Sequence, residues 1–193
     1  DYKSKYLLSL VLRRDGYSKL PKDNRWGTFP GISAGWVLSR ENFMESCSNV
    51  LSYAKIRASY GANGNVSGVL DANGNVVTGL DYYTVQGSYG IMKDKDGKIV
   101  PNYNGKVPLM INDLPNPTMR WEKSYTFETG FDIGFLNNKY ILNFTYYNRH
   151  TQDKFAEITL PSHSGVSSFL SNNGEVQNQG MELELTANVL RTK

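Results

Sequence analysis

Six stretches of this chain alternate apolar residues with polar or small ones at a period of two, and no other feature limits the fold as tightly. Successive side chains of an extended strand point to opposite faces, so each stretch sorts its residues onto two sides. The first puts Tyr6, Leu8, Leu10 and Leu12 on one side, with Leu7, Ser9, Val11 and Arg13 on the other. The second opposes Ile32, Ala34, Trp36 and Leu38 to Ser33, Gly35, Val37 and Ser39. The third opposes Ala54, Ile56, Ala58 and Tyr60 to Tyr53, Lys55, Arg57 and Ser59. The fourth sets Tyr125, Phe127, Thr129, Phe131, Ile133 and Phe135 against Ser124, Thr126, Glu128, Gly130, Asp132 and Gly134. The fifth sets Tyr140, Leu142, Phe144 and Tyr146 against Ile141, Asn143, Thr145 and Tyr147. In the sixth, Met181, Leu183, Leu185, Ala187 and Val189 oppose Glu182, Glu184, Thr186 and Asn188.

The first-named sides carry no charge. Every charge in the six stretches lies on the opposing sides: Arg13, Lys55, Arg57, Glu128, Asp132, Glu182 and Glu184. A charge facing lipid near the bilayer midplane costs roughly 2–4 kcal/mol, whereas a position facing a polar lumen tolerates it. These seven residues are therefore candidates for lumen lining. A soluble sheet would alternate in the same way with its apolar face on a core, so alternation alone shows one-sided burial. The mean hydropathy is −0.47 and no apolar run reaches 18 residues, which excludes a transmembrane helix but not a transmembrane barrel.

Thirteen Tyr, eight Phe and eighteen Gly, with repeated Asn-Gly and Asp-Gly pairs, suit pleated surfaces joined by hairpin turns. No window carries a helical apolar stripe; the best helical candidate is the short piece Arg40–Asn49, with Phe43 and Met44. The fold expected is all-β and antiparallel, strands following one another up and down. Three links are long, near 15–25, 62–119 and 154–177. The two between them are short, at 40–51 and at the turn Leu136-Asn137-Asn138. Long links on one end and short ones on the other match an outer-membrane barrel, with long loops outside and short turns in the periplasm. Six strands cannot close such a barrel, and Tyr2–Leu12 and Met181–Leu190 would be left as unpaired edges. With no signal peptide at Asp1, the expectation is a piece of a larger barrel over 1–193, with a long extracellular loop at 62–119.

Other chemistries find little support. A net charge of +3 without a Lys/Arg cluster gives no nucleic-acid footprint, and Cys47 alone can form neither a disulfide nor a cysteine metal site. His150 and His163, the latter beside Ser164, have no spacing that assembles a triad, so no catalytic residue is expected. Asp71-Ala72-Asn73-Gly74-Asn75 begins like a calcium loop but lacks glycine at loop position six and offers Tyr82 where a bidentate Glu belongs. A hairpin at Asn73-Gly74 explains it better, and Asp94–Lys98 reads as another exposed turn. Neither a metal nor a cofactor is expected. The 62–119 link carries Tyr82, Tyr83, Tyr89 and Tyr103, whose rings could stack on a sugar or peptide, or pack against a lid protein. Trp26, Trp36 and Trp121 read as aromatic residues at the membrane interfaces, with glycan stacking as the alternative.

The runs Arg14-Asp15-Gly16-Tyr17-Ser18-Lys19-Leu20 and Asn24-Arg25-Trp26-Gly27-Thr28-Phe29-Pro30-Gly31-Ile32-Ser33-Ala34-Gly35-Trp36 open a series of motifs. Lys55-Ile56-Arg57-Ala58-Ser59-Tyr60-Gly61 with Asn63-Gly64-Asn65, then Asn116-Pro117 and Arg120-Trp121-Glu122, continue it. Gly130-Phe131-Asp132-Ile133-Gly134-Phe135, Tyr146-Tyr147-Asn148, Asn173-Gly174 and Asn178-Gln179-Gly180-Met181-Glu182-Leu183 complete it in order. Together they resemble the barrel region of the SusC/RagA family of TonB-dependent outer-membrane transporters of Bacteroidetes, over nearly the whole chain apart from 66–112. The resemblance implies a large barrel closed by an internal plug, a SusD-like surface lipoprotein as lid, and energy delivered by TonB. It implies import of an oligosaccharide or a peptide across an outer membrane whose lipid surrounds the barrel. The competing expectation is a soluble or surface-exposed glycan-binding β-sheet module, whose apolar face would be broken by polar contacts.

Overall fold

The computed structural model describes residues 1–70, 76–78, 80, 82–100, 104 and 106–188. Strands β1 (Tyr6–Gly16), β2 (Trp26–Val37) and β3 (Leu51–Asn65) come first. An insertion follows, holding β4 (Val69–Leu70), β5 (Val76–Thr78), helix α1 (Tyr82–Gln86), β6 (Ser88–Ile91) and β7 (Leu109–Asp113). Then come β8 (Glu122–Phe135), β9 (Tyr140–Thr159) and β10 (Ser168–Ala187). The main sheet has the order β1-β2-β3-β8-β9-β10, every neighbouring pair antiparallel. The six alternating stretches thus pair as a meander, and the insertion adds two small hairpins, β4-β5 and β6-β7. β1 and β10 do not pair with each other, so the sheet is an open arc of wall.

Register carries the uncharged sides into continuous rows. Leu10, Ile32, Tyr60 and Phe127 share one row, and Tyr6, Trp36, Ile56, Phe131, Phe144 and Leu183 share another. All of them but Phe131 and Phe144, which are half-buried, remain exposed although they are large and apolar: Leu10 and Leu183 are each 70% exposed. A sheet turned to a protein core would cover them. The belt also descends across the sheet, from Tyr6–Leu12 on β1 to Met181–Ala187 on β10, two rows lower. Two rows are about 13 Å along a strand and five strand spacings about 24 Å, which corresponds to strands tilted by about 30°. On β8 the belt runs from Tyr125 to Phe135, about 33 Å of strand or about 28 Å of height at that tilt, close to the roughly 25 Å apolar band of outer-membrane barrels. No helix among the described residues is long and apolar enough to cross a membrane.

The strands outrun the alternating stretches at one end. β9 continues to Thr159 and β10 begins at Ser168, so the expected 154–177 link shrinks to 160–167. β3 likewise continues to Asn65, β2 starts at Trp26, and β8 starts at Glu122, which leaves the insertion at 66–121. Alternation marks only the part of a strand that separates apolar from polar surroundings; beyond the belt both faces meet water or loops. At the other end Leu38 and Ser39 leave the strand for 3₁₀ turns at Leu38–Arg40 and Asn42–Cys47, the latter occupying the expected helical piece. The Leu136-Asn137-Asn138 turn holds three consecutive residues at positive φ. Val189 and the Asn73-Gly74 turn lie outside the described residues, though β4 and β5 pair around that turn. Asp94–Lys98 closes as a turn, with the Asp94 carboxylate accepting from the backbone N–H groups of Asp96 and Lys98.

Candidate functional site

All seven candidate lumen residues share the face opposite the belt, as the register requires. Lys55, Asp132, Asn143 and Glu184 align across β3, β8, β9 and β10, and Arg57, Gly130, Thr145 and Glu182 align in the next row. Gly130 matters here because it has no side chain. Arg57 reaches across it to donate from Nη2 to Thr145 Oγ1 at 2.5 Å, while its Nε lies 3.4 Å from Asp132 Oδ1. A Cβ on Gly130 would overlap the Phe144 carbonyl oxygen and crowd the guanidinium. Glu184 accepts from Asn143 Nδ2 at 3.2 Å; Lys55, Glu128 and Glu182 make no ion pair among the described residues. Arg57, Asp132, Thr145, Glu182 and Glu184 with Tyr53 line an open concavity of about 650 Å³. Arg13, nearer the loop end, pairs with Asp15 at 2.7 Å and lies over the Phe29 ring. The wall thus presents both signs of charge around water, suited to hydrogen-bonding a polar solute.

A small hydrophobic core closes the loop end on this same face. Leu20, Phe29, Leu80, Met119, Trp121, Phe155 and Leu170 are buried together, drawn from the first link, β2, the insertion and the β9–β10 hairpin. Trp121 therefore is not an interface residue: it is 7% exposed, edge-on to Phe29, and donates its indole N–H to the Arg25 carbonyl at 3.1 Å. Its neighbours seal the insertion to the wall. Asn116, buried, donates to the Leu170 carbonyl at 2.9 Å and accepts from the Thr118 N–H at 3.1 Å. Glu122, 2% exposed, accepts from the Phe155 N–H at 2.6 Å and from Asn65 Nδ2 at 2.7 Å. Asn172 exchanges two hydrogen bonds with the Arg120 backbone, and Arg120 pairs with Asp153 at 2.6 Å, which holds its guanidinium pKa above the ordinary value.

Of the four loop tyrosines, only Tyr89 has a described side chain. Tyr89 lies on β6 and is 73% exposed. Tyr82 and Tyr83 open α1, where only their backbone is described, and Tyr103 lies outside the described residues. Trp26 and Trp36 are placed as interface residues would be. Trp26 is exposed at the loop end with Arg14 over its ring, and Trp36 stacks on Tyr6 at the short-turn end. There Glu41 accepts from Trp36 Nε1, from Lys5 Nζ and from the Tyr6 hydroxyl at 2.8–3.1 Å. Those three donors hold its carboxyl down to about 2.

Residues 1–192 match the family described as TonB dependent receptor-like, beta-barrel. The chain belongs to that family. This receptor segment is 33% identical over 97% of its length to TonB-dependent receptor P3 of Formosa agariphila, and 32% identical over 98% to TonB-dependent receptor SusC of Bacteroides thetaiotaomicron. It spans less than a fifth of those relatives, 17% and 18%. In fold it is similar to the RagAB peptide importer in its open-open state, with a TM-score of 0.78 at 23% identity over the whole chain and 19% of that chain. The siderophore receptor PirA from Pseudomonas aeruginosa shares the fold more loosely, with a TM-score of 0.53 at 16% identity over 95% of this chain and 28% of that one. The segment is thus outer-membrane β-barrel wall. What sequence reasoning did not reveal as functional structure is the junction of Asn116, Arg120, Glu122, Asp153 and Asn172. Its only local signal was a run of polar residues flanking a tryptophan, in motifs noted for their resemblance alone.

Proposed function

We propose that this segment forms wall, lumen lining and outer-mouth loops of a TonB-dependent importer of oligomeric nutrients. The observation that carries the reading is the division of the sheet: an uncharged belt about 28 Å high on one face, with all seven belt-level charges on the other. Arg13, Lys55, Arg57, Glu128, Asp132, Glu182 and Glu184 then face the lumen, where a wet, mixed-charge surface hydrogen-bonds a passing oligosaccharide or peptide. The loop-end core sits outside, and the exposed β6–β7 hairpin with Tyr89 offers a contact for substrate or for a SusD-like lipoprotein lid. TonB acts through parts of the transporter other than this wall. Its likeness to SusC and to the RagAB peptide importer favours nutrient import over an unrelated use of the barrel.

The test uses the full-length receptor in its own cells. Uptake of fluorescently labelled oligosaccharides and of labelled peptides is compared before and after deletion of the gene, with and without collapse of the proton gradient. Import of one class that needs both the gene and the gradient supports the reading. Uptake of both classes that ignores either refutes it.

A further inference from the structure

At the short-turn rim the Tyr6 hydroxyl and the Trp36 indole N–H both donate to Glu41, which also accepts from Lys5. At the loop-end rim the Tyr60 and Tyr125 hydroxyls make no hydrogen bond among the described residues, although both rings stand on the lipid-facing side. Beside them the belt stops at Tyr146 on β9 and Met181 on β10, and Asn148, His150, Gln152, Gln177 and Gln179 follow on the same face. Tyr60, Tyr125, Phe127, Asn148, His150 and Gln177 line a groove of about 470 Å³ at this boundary. Gln177 donates to Asn148 at 3.1 Å, and His150 is held through both ring nitrogens by Glu175 and by the Gln152 amide, which orients the amides and leaves much of their own hydrogen-bonding capacity unused. Lys123, on the same outward side and in register with Gln152, has no ion-pair partner among the described residues.

We propose that this outward groove binds the saccharide headgroup of an anionic glycolipid of the outer leaflet. A sugar ring has apolar C–H faces and a rim of hydroxyls, so it suits aromatic rings with free hydroxyls flanked by amides. Lys123 supplies the partner for a headgroup phosphate or carboxylate. Acyl chains attached to that headgroup would run down the belt immediately below, over Phe127, Phe131 and Phe144. The small headgroup of a phospholipid fills less of the groove and offers fewer groups to its amides. The inference rests on the orientation proposed above, with the loop end outside.

The test uses the full-length receptor, extracted from its outer membrane in mild detergent, with bound lipid quantified by mass spectrometry. Purified lipid A carrying its core sugars is then titrated onto it, alongside the deacylated core oligosaccharide and phosphatidylglycerol vesicles. Lys123→Glu is expected to lower retained glycolipid about tenfold, and Tyr125→Phe with Gln177→Leu several-fold. Tyr140→Phe, at the opposite rim, should change nothing. Each variant must keep the gel mobility of a folded barrel, and Tyr125→Phe is mild enough to do so. Unchanged retention, equal binding of phosphatidylglycerol, or equal binding of the deacylated core each overturns the proposal. Orientation is read separately: in a Cys47→Ser background, Asp96→Cys should react with an impermeant maleimide on whole cells. Labelling without any lipid effect defeats the groove alone; absence of labelling defeats the orientation.

Discussion

Placing an arginine at Phe131 tests the membrane reading most directly. Phe131 lies one residue from the middle of the belt on β8, and its ring stacks on Phe144 at 5.2 Å. An arginine facing lipid at that depth costs about 2–4 kcal/mol, and losing the ring pair adds about 0.5–1.5 kcal/mol, so Phe131→Arg should destabilise by about 3–5 kcal/mol. The comparison must change the other face without a clash. Gly130→Arg is unsuitable, because the Phe144 carbonyl and the Arg57 guanidinium fill the space above Gly130. Ser59→Arg is suitable, since Ser59 lies across from Glu128, which makes no ion pair among the described residues. An exposed pair there contributes about 0–1 kcal/mol, so this variant should match the parent or slightly exceed it. The assay is urea titration of the full-length receptor folded into lipid bilayers, read by tryptophan fluorescence and by gel mobility of the folded form. Equal losses for the two variants would mean that neither face meets lipid, and the barrel assignment would fall.

Four further outcomes follow from the loop end and the short-turn rim. Glu122→Ala strands one buried donor, the Phe155 N–H, and frees the exposed Asn65 amide, and should cost about 1–3 kcal/mol locally; limited proteolysis should then cut within 66–121 while the barrel still inserts. Replacing 90–111 by a short Gly-Ser turn removes the exposed β6–β7 hairpin but spares Leu80, Val85 and Met119 of the core, so insertion should be normal while uptake or lipoprotein co-purification falls. Removing all of 66–107 would instead take Leu80 out of that core and should reduce folded yield. Glu41 is lowered from 4.5 to about 2, so its contribution is full above about pH 4.5 and is lost as pH falls toward 2. The stability gap between the parent and Glu41→Gln should therefore shrink across that window; a gap independent of pH would show that the three donors do not favour the charged form.

The six strands of the main sheet and the sorting of their residues onto two faces were legible in the chain because both depend on a local, two-residue period. Phe127, Phe131 and Ile133 must share a side whatever else happens, and so must Glu128 and Asp132. The expected contrast of long and short links holds only for the insertion, since the links at 17–25 and 160–167 are shorter than the one at 38–50 once the strands run on past the belt. The tertiary structure decided what the period could not reach. β9 and β10 run on past the belt where alternation has ceased, because backbone pairing continues even when both faces are wet. Trp121 is buried rather than interfacial because Phe29, about 90 positions earlier in the chain, meets it over the strand ends. Glu122 becomes a structural acceptor only when Asn65 and Phe155 converge on it from two other strands. The descent of the belt by two rows, and the groove left at its upper edge, depend on strand tilt. Tilt belongs to the sheet as a whole: it is set by how strands pair and twist against one another, and no single strand encodes it.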